Sequence, residues 1–340
     1  MEKIRAAVVG LGRIASILED DELREKPCTH TGAIAANGDC ILVAGSDISG
    51  ERRNLFAEKW KVPVYENADE MIAAHKPQIL VIATHPDSHF KYCFLASQMK
   101  IPVVICEKPL ADKLKDARKI ARLSQVKDGT YNDVSGTIII TNHERRYSQD
   151  YIKAKEILKE GKLGAIISVS AVLYMGRTRR ILDMLWHDGT HLADAIMFLT
   201  DSNLKHKRTI GAKLTSNKGT AWLEASLCGE KSDSEIPVII EIGAGRDHLV
   251  FEIEISCEKG RLRIGNGVYE IFESVPCPYA QKFRSLQKTD GEFKGPTGYF
   301  ANMLKDAVAC VKDPKRIPVS GAVNGLKVIE YLQSVKAWKK

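Results

Sequence analysis

The sequence predicts an α/β domain with a doubly wound parallel sheet, followed by an α+β domain with a mainly antiparallel sheet. Three observations carry this. Apolar, strand-like runs at residues 4–9, 40–45, 62–65, 79–83, 103–106 and 136–141 alternate with helical stretches at 51–60, 69–75, 89–99 and 112–124, the pattern of parallel βα units. A glycine-rich turn, Gly10-Leu11-Gly12-Arg13-Ile14-Ala15, closes the first run. From residue 165 on, strand candidates (165–174, 220–227, 237–242, 248–256, 261–264, 268–273) dominate, and helices at 298–311 and 322–337 close the chain. The expected division is 1–141 for dinucleotide binding and 142–340 for the second domain.

Composition narrows the function class. The 340 residues suffice for two domains of ordinary size, and 44% hydrophobic with 27% charged residues is soluble globular material. The net charge of +7 comes without a basic arm or a nucleic-acid-binding motif, so an anionic small molecule suits it better than a polyanion. Eight scattered cysteines form no Cys-x-x-Cys pair, which points to a reducing compartment without a disulfide or zinc framework. No signal-like segment precedes the first strand and no apolar run has membrane-spanning length. A cytoplasmic protein with no membrane or nucleic-acid partner is expected.

Taken in order, the first turn is a phosphate cradle. Gly10 permits the tight bend, Gly12 lets the backbone approach a pyrophosphate, and Ala15 lets a following helix pack closely. The start of that helix would offer the N–H groups of Arg13 and Ile14 to phosphates. The second strand ends in Ser46-Asp47. An acid there bonds ribose hydroxyls and repels a 2′-phosphate, favouring NAD, whereas Ser49, Arg52 and Arg53 suit NADP. The acid lies farther from the glycine turn than usual because residues 19–27 read as an inserted surface loop. The strand at 79–83 delivers Thr84 and His85 to its carboxyl end. His89 follows in the next helix, either near the cofactor or as a structural histidine. The strand at 103–106 then runs straight into Glu107-Lys108-Pro109. Ligands in open α/β sheets bind beyond such strand ends, and an ammonium there is either functional or snorkels out to water.

Gly10-x-Gly12-x-x-Ala15, Asp47, Thr84-x-Pro86-x-x-His89 and Glu107-Lys108-Pro109, in this order, resemble the glucose-fructose oxidoreductase / inositol dehydrogenase / rhizopine-catabolism (Gfo/Idh/MocA) family. The resemblance covers essentially the whole chain and implies NAD or NADP in a Rossmann domain. It implies a cis bond at Lys108-Pro109 that sets the lysine beside the nicotinamide, with Glu107 lining the same site. It makes Asn142-His143-Glu144-Arg145-Arg146-Tyr147 the crossover, where Asn142 and Arg145 touch substrate or tie the junction. It also implies a large open C-terminal sheet whose exposed face makes a homodimer or homotetramer.

In the second half, Leu192, Ala195, Ile196 and Leu199 trace one face of a helix. His187 and His191 stand four apart and share a side if that helix reaches back far enough. The resemblance gives His191 the role of catalytic base. The family's acid, four residues earlier, is replaced by His187, so its role falls to His187 or to Asp188. No third ligand accompanies the two histidines, and no metal is expected. Arg177, in Arg177-Thr178-Arg179-Arg180, reads as a clamp for an anionic substrate group or as part of a solvated loop. Together these residues suggest an NAD(P)-dependent oxidoreductase acting on a secondary hydroxyl of a sugar, cyclitol or derivative. The rivals are a redox-neutral glycosidase that uses NAD transiently and a non-enzymatic, sugar-responsive regulator.

Overall fold

The computed structural model describes residues 2–124, 126–127, 130–131, 136–176, 179–229 and 232–337. The chain divides into two compact units, Met1–Ser148 with Pro296–Ile329, and Gln149–Gly295 with Glu330–Lys340.

In the first unit, the alternating pattern becomes β1 (Ile4–Val9), α1 (His30–Ala36), β2 (Cys40–Ser46), α2 (Gly50–Trp60), β3 (Val64–Tyr65), α3 (Ala68–His75), β4 (Ile79–Ile82), α4 (His89–Gln98), β5 (Val103–Cys106) and α5 (Leu114–Leu123). A two-strand ladder of β6 (Val126–Lys127) and β7 (Thr130–Tyr131) precedes β8 (Ile138–Thr141). The main sheet runs β3-β2-β1-β4-β5-β8 and is parallel throughout. Strands β4, β5 and β8 are buried at every position, which is why they read as unbroken apolar runs.

The register of this sheet creates the site. Val9 pairs with both Ser46 and Ile82, Ile82 with Cys106, and Cys106 with Thr141. Five strands therefore end level, and Gly10, Asp47, Ala83, Glu107 and Asn142 leave along one edge. That edge is the ligand-binding crevice of doubly wound sheets.

The second unit contains α6 (Gln149–Lys159), β9 (Ile166–Met175), α7 (Ile181–His187), α8 (Gly189–Thr200), β10 (Asn203–Gly211), β11 (Gly219–Gly229), β12 (Ser232–Ala244), β13 (Leu249–Cys257), β14 (Gly260–Gly265), β15 (Val268–Pro276) and β16 (Arg284–Asp290). The sheet order is β10-β11-β12-β9-β13-β14-β15-β16, with β9 and β12 its parallel pair. Alternate residues of β13 and β14 are buried, and α8 packs against β9, β10 and β13. The intervening positions carry ion pairs, Arg263 to Glu252 at 2.9 Å and to Glu270 at 2.7 Å among them. Strands β10 and β16 were not expected. They are the two sheet edges, where polar, charged sequences are favoured and apolar alternation is lost.

After the second unit, α9 (Tyr299–Lys312) rejoins the first, burying Phe300, Met303, Leu304 and Ala307 in the core that holds Val8, Ile105 and Ile140. The expected single boundary after residue 141 did not include this return. Helix α10 (Ala322–Ala337) follows. The other departure is the first crossover. A turn leads into a short 3-10 segment, Ile17–Asp20, and α1 starts only at His30. The segment between lies at the surface, as expected, and is anchored there. The carboxylate of Glu25 accepts hydrogen bonds from the Thr297 N–H and hydroxyl, both at 2.9 Å, and from the Gly298 N–H at 2.8 Å, capping α9. A cleft of about 360 Å³ beside the 3-10 segment is lined by Leu11, Ile17, Arg52, Leu55 and Phe56.

Among the described residues no helix is long and apolar enough to cross a membrane, and no group of His, Cys, Asp or Glu is placed to hold a metal ion. All eight cysteines are free.

Candidate active site

At the end of β1 the backbone turns through Gly10 at φ +87°. A Cβ at this residue would lie 2.7 Å from the carbonyl carbon and oxygen of Ala83 and 2.8 Å from the Thr84 nitrogen. Only glycine lets the first and fourth strand ends approach so closely. At Gly12 the nearest atom to such a Cβ is an Arg52 nitrogen at 3.9 Å, so that position is open to a ligand. Arg13 is exposed and Ile14 half-buried. They lie in a turn closed by Ser16 N–H to Gly12 O at 3.1 Å and Leu18 N–H to Arg13 O at 3.0 Å. The full helix expected behind the glycine turn is absent, because the inserted segment interrupts it. The dipole contribution to phosphate binding shrinks accordingly, leaving local N–H groups.

Asp47 is buried. Its two oxygens accept the N–H groups of Leu11 and Ser49, both at 2.8 Å, and the Arg52 guanidinium stands 3.6 Å away. The acid thus laces the glycine turn to the turn before α2, and Arg52 is the exposed group beside it.

At the end of β4, Thr84 accepts a hydrogen bond from the Ser88 hydroxyl at 2.7 Å, and His85 is exposed in extended backbone. His89 requires a correction. It is 0% exposed, with Nδ1 3.1 Å from the Pro109 carbonyl and Nε2 3.1 Å from that of Thr84. Burial lowers its pKa below the usual histidine value, although the carbonyls and Glu107 pull it up. No surface remains for a cofactor contact. The imidazole instead ties the turn after β4 to the turn after β5.

That second turn carries Glu107-Lys108, with the Lys108-Pro109 bond cis. One Glu107 oxygen meets His30 Nε2 at 2.7 Å and accepts the Asn142 amide at 2.5 Å. The other accepts the Lys108 N–H at 3.2 Å. Burial alone would raise the Glu107 pKa, but the hydrogen bond and charge of His30, the Asn142 amide and Lys108 bring it below the usual carboxylate range. With its oxygens engaged in this way, Glu107 orients the lysine turn. Asn142, expected to reach substrate, spends its amide on that task. His30 was missed from sequence. Its only signal was a histidine opening the first true helix, cut off from the glycine turn by the insertion.

Further along, Arg145 is half-buried and Arg146 buried. The Tyr147 hydroxyl donates to Asp306 of α9 at 3.1 Å, so the crossover segment is clamped within the first unit.

In the second unit His187 ends α7 and is exposed, whereas His191 lies half-buried in the first turn of α8. The helix expected to carry both is broken at Asp188, whose carbonyl accepts the His191 N–H at 3.1 Å. The Asp188 carboxylate is paired with the Arg179 guanidinium at 2.7 Å. Arg177 lies outside the described residues.

Comparison with known proteins agrees with this geometry. Residues 4–132 match the Gfo/Idh/MocA group, described as an oxidoreductase family with an NAD-binding Rossmann fold. The chain's N-terminal domain is matched by the Gfo/Idh/MocA family. An inositol 2-dehydrogenase of Gluconacetobacter diazotrophicus is 24% identical over 307 residues, 81% of this chain and 87% of that protein. Alignments with three other curated relatives span 59%, 42% and 27% of their lengths. Among solved structures, the UDP-N-acetylglucosamine 3-dehydrogenase GnnA of Acidithiobacillus ferrooxidans superposes with a TM-score of 0.74 at 16% identity, over 98% of this chain and 97% of that one. GenD2 from gentamicin A biosynthesis, in complex with NAD, gives 0.74 at 14% identity, over 99% and 94%. At such identities these two structures share the fold. In this Rossmann domain, the Gly10 cradle and the open Gly12 position fit a dinucleotide's pyrophosphate.

Proposed function

We propose that this chain is an NAD-dependent oxidoreductase acting on a secondary hydroxyl of a sugar or cyclitol. The observation that carries the reading is the level strand edge, which sets the Gly10 cradle and the Glu107-Lys108 turn on one rim. When bound, the nicotinamide supplies the hydride acceptor. Lys108 donates a hydrogen bond to the substrate oxygen and stabilises its developing negative charge. His191 takes the hydroxyl proton as a neutral imidazole. Asp188, held by Arg179, and His187 stand beside it as the acid's candidates. NAD is favoured because an acid at the end of β2, Asp47, opposes a 2′-phosphate.

Thermal-shift titration with NAD and NADP, followed by NADH absorbance on adding polyols, tests this. NAD is expected to stabilise more than NADP at equal concentration, a ligand at about 100 times its Kd adding about 2.7 kcal/mol. A larger shift with NADP would hand the role to Arg52 and Arg53. Sugar released from a glycoside without net NADH would favour the glycosidase, and no redox change with any polyol the regulator.

A homodimer or homotetramer through the outer face of the second unit's sheet belongs to the same proposal. Trp222 and Ile239 are 40% and 41% exposed there, more apolar surface than a solvated strand needs. Light scattering on the purified chain should give a multiple of its 37.7 kDa mass. A monomer would remove this part.

A further inference from the structure

We propose that Glu144 is the carboxylate that reads adjacent hydroxyl groups on a neutral polyol substrate. The inference rests on the oxidoreductase reading above and names its substrate class.

Strands β5 and β8 are neighbours with Cys106 opposite Thr141, and the Asn142 N–H donates to the Cys106 carbonyl at 2.7 Å. Glu107-Lys108 and Asn142-His143-Glu144 therefore leave the same sheet edge side by side. Glu144 opens a 3-10 turn, Glu144–Tyr147, that cannot drift. Tyr147 is held by Asp306, and the Asn302 amide donates to the Tyr147 carbonyl at 3.0 Å. The inserted segment, fixed by Glu25 at the start of α9, brings Arg24 and Tyr299 within electrostatic reach. The titratable and charged groups that act on Glu144 are Arg145 from its own turn, Lys108 and Glu107 beyond β5, Arg24 from the insertion and Tyr299 from α9.

Glu144 is half-buried, and among the described residues only burial and neighbouring charges act on it, with no hydrogen bond. Burial raises its pKa despite Arg145, Lys108 and Arg24. A half-buried carboxylate whose oxygens remain open beside a strand-end lysine is placed to meet a ligand. The charges choose the ligand. A cationic substrate would meet Lys108, Arg145 and Arg24, and an anionic one would meet Glu144 and Glu107. Two neighbouring hydroxyls satisfy both carboxylate oxygens without adding charge.

The test uses NAD-loaded wild type, Glu144→Ala and Glu144→Gln with myo-inositol, D-glucose and D-gluconate as probes. Wild type should prefer the neutral probes. Glu144→Ala should raise their KM about tenfold or more with a smaller change in kcat and unchanged NAD binding. Glu144→Gln should narrow the gap to gluconate. A carboxyl with a raised folded pKa loses stability as pH rises past its unfolded value. Both variants should therefore have a higher Tm than wild type near neutral pH, which a purely structural glutamate would not give. If wild type turns over the neutral probes and Glu144→Ala leaves KM within about twofold, or lowers Tm, this inference alone falls. If wild type turns over none of them, calorimetric titration decides. Neutral-probe binding lost in Glu144→Ala sustains the inference. No binding to wild type ends it together with the reading beneath it.

Discussion

Lys108→Ala is expected to lower polyol oxidation by about 10²–10⁴-fold while leaving NAD binding within about twofold of wild type. The chain leaving β5 is held on several sides. Glu107 accepts the Lys108 N–H at 3.2 Å and is itself held by His30 at 2.7 Å and Asn142 at 2.5 Å. His89 braces the next peptide carbonyls from below. A side chain on so fixed a base needs little reorganisation as charge builds on a substrate oxygen, and preorganised donors are where electrostatic catalysis is strongest. On the function proposed above the cofactor's phosphates would meet the Gly10 turn instead, so truncating the lysine should spare binding. His191→Ala should show a comparable loss if it removes the proton from the same oxygen. Residues that act as a unit are strongly non-additive, so the double variant should be little worse than the worse single one. Multiplicative losses in the double variant would separate the two roles, and near-normal turnover in both singles would overturn the mechanism.

How much of this was legible in the sequence depends on which physical signal each residue leaves. Strands β4, β5 and β8 are buried on both faces and β1 at every position but Arg5, so they had to be written as nearly unbroken apolar runs. The glycine turn and Glu107-Lys108-Pro109 stood out because they interrupt such runs with chemistry no core needs. His89 was legible as a position and not as a role. Only the fold shows that the β5 turn passes over its ring. Asp47 was identified as the acid of its strand, but its grip on the Leu11 N–H is a contact across two loops that no spacing encodes. His30 left the weakest trace. The insertion moved it away from the motif it serves, and Thr29 beside it reads as an ordinary helix cap, which it also is. Edge strands β10 and β16 were invisible for the opposite reason, since a solvated edge suppresses apolar alternation.

His30→Ala should therefore be among the most damaging substitutions outside the residues that touch substrate. The side chains of His30 and Glu107 are 1% and 7% exposed. Removing one partner from such a buried pair costs about 3–5 kcal/mol, because the remaining group keeps its desolvation penalty. Asn142 and the Lys108 N–H still bind Glu107, which argues for the lower end. The pH dependence gives the sharper test. In wild type the folded pKa of Glu107 lies below its ordinary value, with burial opposing and His30 leading the groups that overcome it. Its stabilising contribution is then present above the unfolded carboxylate pKa and fades as pH falls through the folded one. Without His30, burial gains, the folded pKa climbs, and the same group begins to favour the folded state on acidification. Melting curves from about pH 2.5 to about pH 8 should show wild type losing stability toward acid and His30→Ala losing less or gaining. Glu107→Gln in the His30→Ala background should recover part of the lost stability, since it removes the stranded charge and keeps a hydrogen-bonding side chain of the same length. If His30→Ala melts like wild type with an unchanged pH slope, the buried pair does not hold the lysine turn.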